Sequence, residues 1–149
     1  MFKELIGKRS APSKNVIERG AVKKFAEAIN DPAPIYIDEK AGKASRYGRN
    51  IAPPTFPITL EYGAIEELVL PTKGLIHGEQ KFHYKRPLFV GEEVYGVTEI
   101  KNYYERTGSF GKMGFLVIER QGTDAQGELI FTEEQIIIIN EAARKGMPV

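Results

Sequence analysis

The order of apolar and polar positions gives the two halves of the chain different textures. Val22, Phe25, Ala26 and Ile29 recur at helical spacing, with Lys23, Lys24 and Glu27 on the opposite side. This predicts a surface helix over 18–29 packed on a core. Asp31-Pro32-Ala33-Pro34 stops it, because proline fixes φ and pushes the preceding residue toward extended geometry. The segment 31–38 reads as a structured loop, with Asp38 capping a short helix through Ala44 and Gly48 marking where that helix can end. Beyond Pro53-Pro54-Thr55-Phe56-Pro57, the residues Ile58, Leu60, Tyr62, Ile65, Leu68, Val69 and Leu70 point almost all round a helical cylinder, leaving Glu61, Glu66 and Glu67 for water. That pattern predicts a core helix, with Thr55 as its cap and Pro71 closing it after Leu70.

After Gly74 the pattern becomes alternating and β-branched, with turn residues at the breaks. It predicts strands at 75–86, 93–103, 112–120 and 129–140. The breaks hold Pro87 and Gly91, then Gly108 and Gly111, then Gly122, Asp124 and Gly127, each suited to a turn. Gly108-Ser109-Phe110-Gly111-Lys112 lacks phosphate-loop spacing and is read as a hairpin turn. Ile136-Ile137-Ile138-Ile139 is apolar on both faces, which suits the middle of a sheet or a subunit interface. Helices first and antiparallel strands last give an α+β domain over 1–149: a hot-dog arrangement, in which a curved antiparallel sheet wraps a central helix. Such a sheet has a free edge, and pairing with a second copy or a related subunit would cover it.

Composition narrows the chemistry. The 21 Lys and Arg balance 20 Asp and Glu, which excludes a chain-wide basic surface for nucleic acid. With no cysteine and two histidines, thiolate metal sites, thiol nucleophiles and a histidine-rich metal centre are excluded. His77 and His83 lie six positions apart, on one face of a regular strand, but have no third ligand. The charged start and the absence of a long apolar run give no sign of a signal peptide or membrane span, and the expected setting is cytoplasmic.

Asp31-Pro32-Ala33-Pro34-Ile35-Tyr36-Ile37-Asp38 resembles the signature of MaoC-like and (3R)-specific hydratases, which runs Asp, any residue, Asn, Pro, any residue, His, any residue, Asp. Asp31, Pro34 and Asp38 match; Ala33 replaces Asn and Tyr36 replaces the catalytic His. Ile51-Ala52-Pro53-Pro54-Thr55-Phe56 is similar to the family's Ile-Ala-His-Gly stretch, with prolines for both His and Gly. The sub-family that shares these departures is the FAS1-like dehydratase, or MaoC-like dehydratase N-terminal half. It also resembles the chain at Leu75-Ile76-His77-Gly78-Glu79-Gln80-Lys81-Phe82, at Arg86-Pro87-Leu88 before Gly91 and at Gly111-Lys112-Met113-Gly114-Phe115. The likeness spans roughly 17–140.

The resemblance implies a subunit of a (3R)-3-hydroxyacyl thioester dehydratase or hydratase, acting on CoA or acyl carrier protein thioesters without metal or redox cofactor. Candidate catalytic residues are Asp31, Tyr36 and His77; candidate substrate-binding residues are Ile51, Ala52, Pro54, Thr55 and Arg86. Dehydration needs a base beside the carbonyl, an acid for the leaving hydroxyl and donors for the thioester oxygen. Tyrosine, with an ordinary pKa near 10 against about 6.5 for histidine, is a poor base at neutral pH. Pro54, standing at the family's oxyanion-donor glycine, has no N–H. A partner hot dog, in a homodimer or heterodimer, is therefore expected to supply the Asp and His.

Plainer readings stand beside these. Asp31 suits a turn, Tyr36 suits packing, and His77 suits a hydrogen bond at a strand start. Lys43, Arg46, Arg49, Lys81, Lys85 and Arg86 are either solvated or placed to meet the phosphates of coenzyme A or the pantetheine arm of a carrier protein. The functional alternatives are a silent acyl-CoA-binding module and a hot-dog thioesterase using Glu61 on the central helix.

Overall fold

The computed structural model describes residues 1–109 and 111–145. Five strands form one antiparallel sheet in the order β1-β3-β4-β5-β2, with β1 at Ser13–Val16, β2 at Leu75–Tyr84, β3 at Glu93–Gly108, β4 at Gly111–Thr123 and β5 at Leu129–Ile139. β2 to β5 fall on the four expected strands. β3 and β4 run past their apolar stretches because their backbones stay paired down to Gly108 opposite Gly111. The expected hairpin turn lies there, and its Phe110 is outside the described residues. Ile136 to Ile139 sit on β5, between β4 and β2.

Helix α1, Arg19–Ala28, follows the predicted stripe. Its end is set by Asn30, whose φ of 59° places it in the left-handed region. From there the Asn30 N–H donates to Glu27 O at 3.0 Å and the Asp31 N–H to Ala26 O at 2.8 Å, the paired closure of a Schellman motif. A single turn, α2 at Pro34–Ile37, occupies the expected loop. α3, Glu39–Ala44, is capped as expected by the Asp38 carboxylate, which accepts from Lys40 N. It stops at Ser45, three residues before Gly48. α4, Glu141–Lys145, follows β5.

The expected core helix through Leu70 does not form. Phe56–Thr59 makes one 3-10 turn, and Thr55 precedes it without a side-chain cap bond; residues 60–74 are then irregular. Other groups have taken the hydrogen bonds that a helix would need. The Asn15 side chain binds both the N–H and the C=O of Glu61, at 2.8 Å each. Thr98 Oγ1 donates to Tyr62 O at 3.3 Å, and the Tyr62 hydroxyl donates to Pro57 O at 2.6 Å. Gly63 adds the entropic cost that glycine brings to a helix interior. The segment still buries Phe56, Tyr62 and Ile65 against the sheet, so it fills the place of the expected helix with less cover.

Two apolar clusters result. Phe2, Leu5 and Ile65 pack on Ile100, Leu116 and Ile139; Val22, Ala52, Phe56 and Tyr62 pack on Leu88, Val94 and Phe131. Directly paired residues of antiparallel strands share a face, so the register assigns Arg120 (opposite Glu133), Gln135 (opposite Gln80) and Ile137 (opposite His77) to this covered face. A bulge between His77 and Glu79, at Gly78, adds one residue to β2 and reverses the alternation beyond it. His77 therefore faces the covered side while His83, opposite Thr132, faces the other. This corrects the expectation that the two histidines share a face.

Candidate functional site

The first site is a cleft of about 380 Å³ lined by Tyr36, Tyr47, Ile51, Ala52, Pro54, Tyr84, Lys85, Arg86 and Pro87. It gathers five of the eight candidate catalytic and substrate-binding residues, Tyr36, Ile51, Ala52, Pro54 and Arg86, and with them the candidate phosphate contact Lys85. Its walls come from α2, from the stretch before the 3-10 turn and from the β2–β3 connection. Asn50, only 3% exposed, joins them. Its side-chain amide donates to Ile35 O and Asp38 O at 2.8 Å each, and its Oδ1 accepts from Arg19 at 2.9 Å. A β-carbon on Gly42 would stand 2.6 Å from both Asn50 nitrogens, so α3 can lie on Asn50 only because residue 42 is glycine. Neither residue carried a recognisable signal in the sequence.

Tyr36 packs on the second apolar cluster. Burial, and after it the negative charge of Asp31, pushes its phenol above the ordinary value, so the group stays protonated at neutral pH. Asp31 is exposed at the end of α1 and makes no ion pair among the described residues. Pro54 has no N–H, and its carbonyl accepts the Tyr84 hydroxyl at 2.5 Å. Burial, then the Glu133 charge, also raises the Tyr84 phenol strongly. Thr55 is exposed and is not among the cleft residues.

Arg86 lines the cleft but is tied down. Its two terminal nitrogens bind Glu92 at 2.8 Å each, and the same carboxylate accepts the Phe89 N–H at 2.5 Å. Arg86 and Arg49 both stack on the Phe89 ring, at 4.7 and 4.5 Å, and Arg46 covers Tyr47 at 4.9 Å. Lys85 lines the cleft with no ion pair among the described residues. Lys81 pairs with Glu79 on β2, away from this group.

His77 is not in the cleft. It lines a second pocket of about 440 Å³ with Ile58, Leu75, Gln80, Arg120, Glu133, Gln135 and Ile137, and its Nε2 lies 3.0 Å from Gln80 Oε1. Glu61 is exposed on the irregular segment, so the helix that the thioesterase reading required beneath it is absent.

The curved five-stranded antiparallel sheet matches the hot-dog class, here with an irregular segment in the place of the central helix, and solved structures agree. The HadBC (3R-hydroxyacyl-ACP dehydratase) complex from Mycobacterium tuberculosis contains a chain with TM-score 0.77 and 21% identity, aligned over 93% of this chain and 99% of that one. The ChsH1-ChsH2 complex from the same organism gives TM-score 0.75 and 19% identity, over 94% and 87%. Within that class, the family model for the FAS1-like dehydratase domain region matches residues 4–133, and the chain belongs to that family. Among curated relatives, a UPF0336 protein of Thermobifida fusca is 33% identical over 141 residues, 91% of this chain and 90% of that protein.

Proposed function

We propose that the chain is the acyl-binding subunit of a (3R)-3-hydroxyacyl thioester dehydratase, and that a second hot dog supplies the catalytic Asp and His. One observation carries the reading: the cleft presents a proton-holding tyrosine and an N–H-free proline at the two positions where proton transfer and oxyanion stabilisation are needed. The remaining walls suit a thioester. Ile51, Ala52, Pro54 and Pro87 offer apolar surface, and Lys85, Arg46 and Arg49 stand ready for the phosphates of coenzyme A or of a carrier-bound pantetheine. No metal or redox cofactor has a part in this chemistry.

The proposed partner pairs along β2. That strand is a sheet edge, with Leu75 36% and Ile76 50% exposed, and an exposed apolar edge is a template for a further strand. The two M. tuberculosis neighbours are themselves complexes, which supports a heteromeric arrangement here.

The test is hydration of crotonyl-CoA, first by the pure chain and then after co-expression with a hot dog carrying an intact Asp and His loop. The expected result is negligible turnover alone and activity in the complex. Turnover by the lone chain that Asp31→Ala abolishes would overturn the partner requirement. A complex that binds acyl-CoA but stays inactive would favour the silent binding module, and acyl-CoA hydrolysis lost in Glu61→Ala would favour the thioesterase.

A further inference from the structure

The sheet ends on one side in β1, four residues long, and on the other in β2, ten residues long. A free edge of that length is a template for another strand, and the residues of β2 say which strand fits it. Its register with β5 puts Ile76, Glu79, Lys81 and His83 on the uncovered face of the sheet and Leu75, His77, Gln80, Phe82 and Tyr84 on the covered face, with Gly78 as the spare residue at the bulge. Of the ten residues, nine remain once Gly78 is set aside, and Gln80 is their midpoint. Two copies laid antiparallel about a twofold axis at Gln80 therefore overlap along their whole length. Glu79 meets Lys81 of the second copy, His77 meets Phe82, Ile76 meets His83 and Leu75 meets Tyr84, every pair on a matching face. The exposed Leu75 and Ile76 then lie against rings.

Charge selects the same register. Within one chain Lys81 pairs with Glu79 at 3.2 Å, both side chains remaining about half exposed, so a second copy completes an alternating ring of four charges around the axis. Moving the axis by one residue sets Glu79 against Glu79 or Lys81 against Lys81, and like charges directly opposite are destabilising. Moving it by half a residue sets covered positions against uncovered ones. We propose that β2 is a self-recognition edge: two copies of this chain join through it, antiparallel about Gln80, and the catalytic hot dog displaces one copy in order to bind. The self-pairing stands on β2 alone; the displacement rests on the dehydratase reading above.

Sedimentation of the full chain is the test, and a reversible dimer is expected. Glu79→Lys and Lys81→Glu each set like charges across the axis twice, and each should weaken self-association about tenfold. Mixing the two variants should restore the dimer, because their altered edges are opposite in charge, and so should both changes in one chain. The sequence has no cysteine, so Gln80→Cys puts a single thiol at the axis, within disulfide reach of its twin. Oxidation should link that variant into a dimer and leave His83→Cys unlinked. A chain that stays monomeric, self-association indifferent to both charge variants, or linkage through His83→Cys as ready as through Gln80→Cys would overturn the proposal. Adding a hot dog with an intact Asp and His loop should convert the homodimer into a mixed pair. A homodimer that persists beside it overturns the displacement. A mixed pair that forms but does not hydrate crotonyl-CoA overturns the dehydratase reading alone.

Discussion

Asn50 holds α1, α2 and the cleft together through three hydrogen bonds from one buried side chain. Asn50→Ala leaves two backbone carbonyls and a guanidinium without that partner, and at about 1 kcal/mol per bond the expected loss is on the order of 3 kcal/mol in urea denaturation. Gly42→Ala should act through the same residue by displacing it, at a cost of about 1–3 kcal/mol. Both variants should weaken acyl-CoA binding because Tyr36 rides on the segment that Asn50 secures. Arg86→Lys exchanges a two-pronged contact with Glu92 for a single point charge. Its expected effect is a looser connection between β2 and β3, visible as faster amide exchange at Phe89. Tyr36→His tests the proton-transfer argument. With Pro54 still in place the variant gains a base but no oxyanion donor, so turnover of crotonyl-CoA should remain far below that of the complex.

The element that replaces the core helix depends on close approach to the sheet. A β-carbon on Gly96 in β3 would stand 2.5 Å from Glu61 O, so Gly96→Ala should lift the segment and cost about 1–3 kcal/mol. The same segment is fastened by the Tyr62 hydroxyl. Burial first, then the Glu133 charge, raises that phenol far above its ordinary value. An acid whose folded pKa is raised favours folding while it stays protonated. The benefit of Tyr62, Tyr36 and Tyr84 is therefore complete below about pH 10, where the unfolded phenols begin to ionise, and declines as pH rises further. Denaturation midpoints should be flat from neutral pH to about 10 and fall above it, and Tyr62→Phe should reduce the slope. These contacts also explain what the sequence concealed. Apolar residues all round a cylinder described 58–70 correctly as buried material, but Asn15 and Thr98, far away in sequence, decide that it is not a helix. β1 was missed for a related reason: Ser-Lys-Asn-Val has no apolar alternation and becomes a strand only through β3. The strands β2 to β5 and helix α1 were legible because their own patterns suffice.

At the scale of the whole molecule, sequence neighbourhood located the cleft, since its residues cluster at 36, 47–54 and 84–87. It could not locate the second pocket, because Arg120, Glu133 and Gln80 meet only once the register of three strands is known. The exposed β2 edge sets the expected assembly. Ile76→Lys should shift the chain toward monomer in sedimentation and prevent capture of a second hot dog, while leaving the fold intact, because the residue is solvent-facing. Gly78 gives β2 an unusual tolerance. The strand amounts to two phased pieces spliced by one spare residue. Deleting that residue would keep Leu75, His77, Gln80, Phe82 and Tyr84 aimed as they are, whereas inserting another nearby would turn one piece over and send Ile76 inward in place of His77. Length changes at this splice should therefore be asymmetric in effect, with the shortened chain keeping its wet corner and the lengthened one exchanging it for grease.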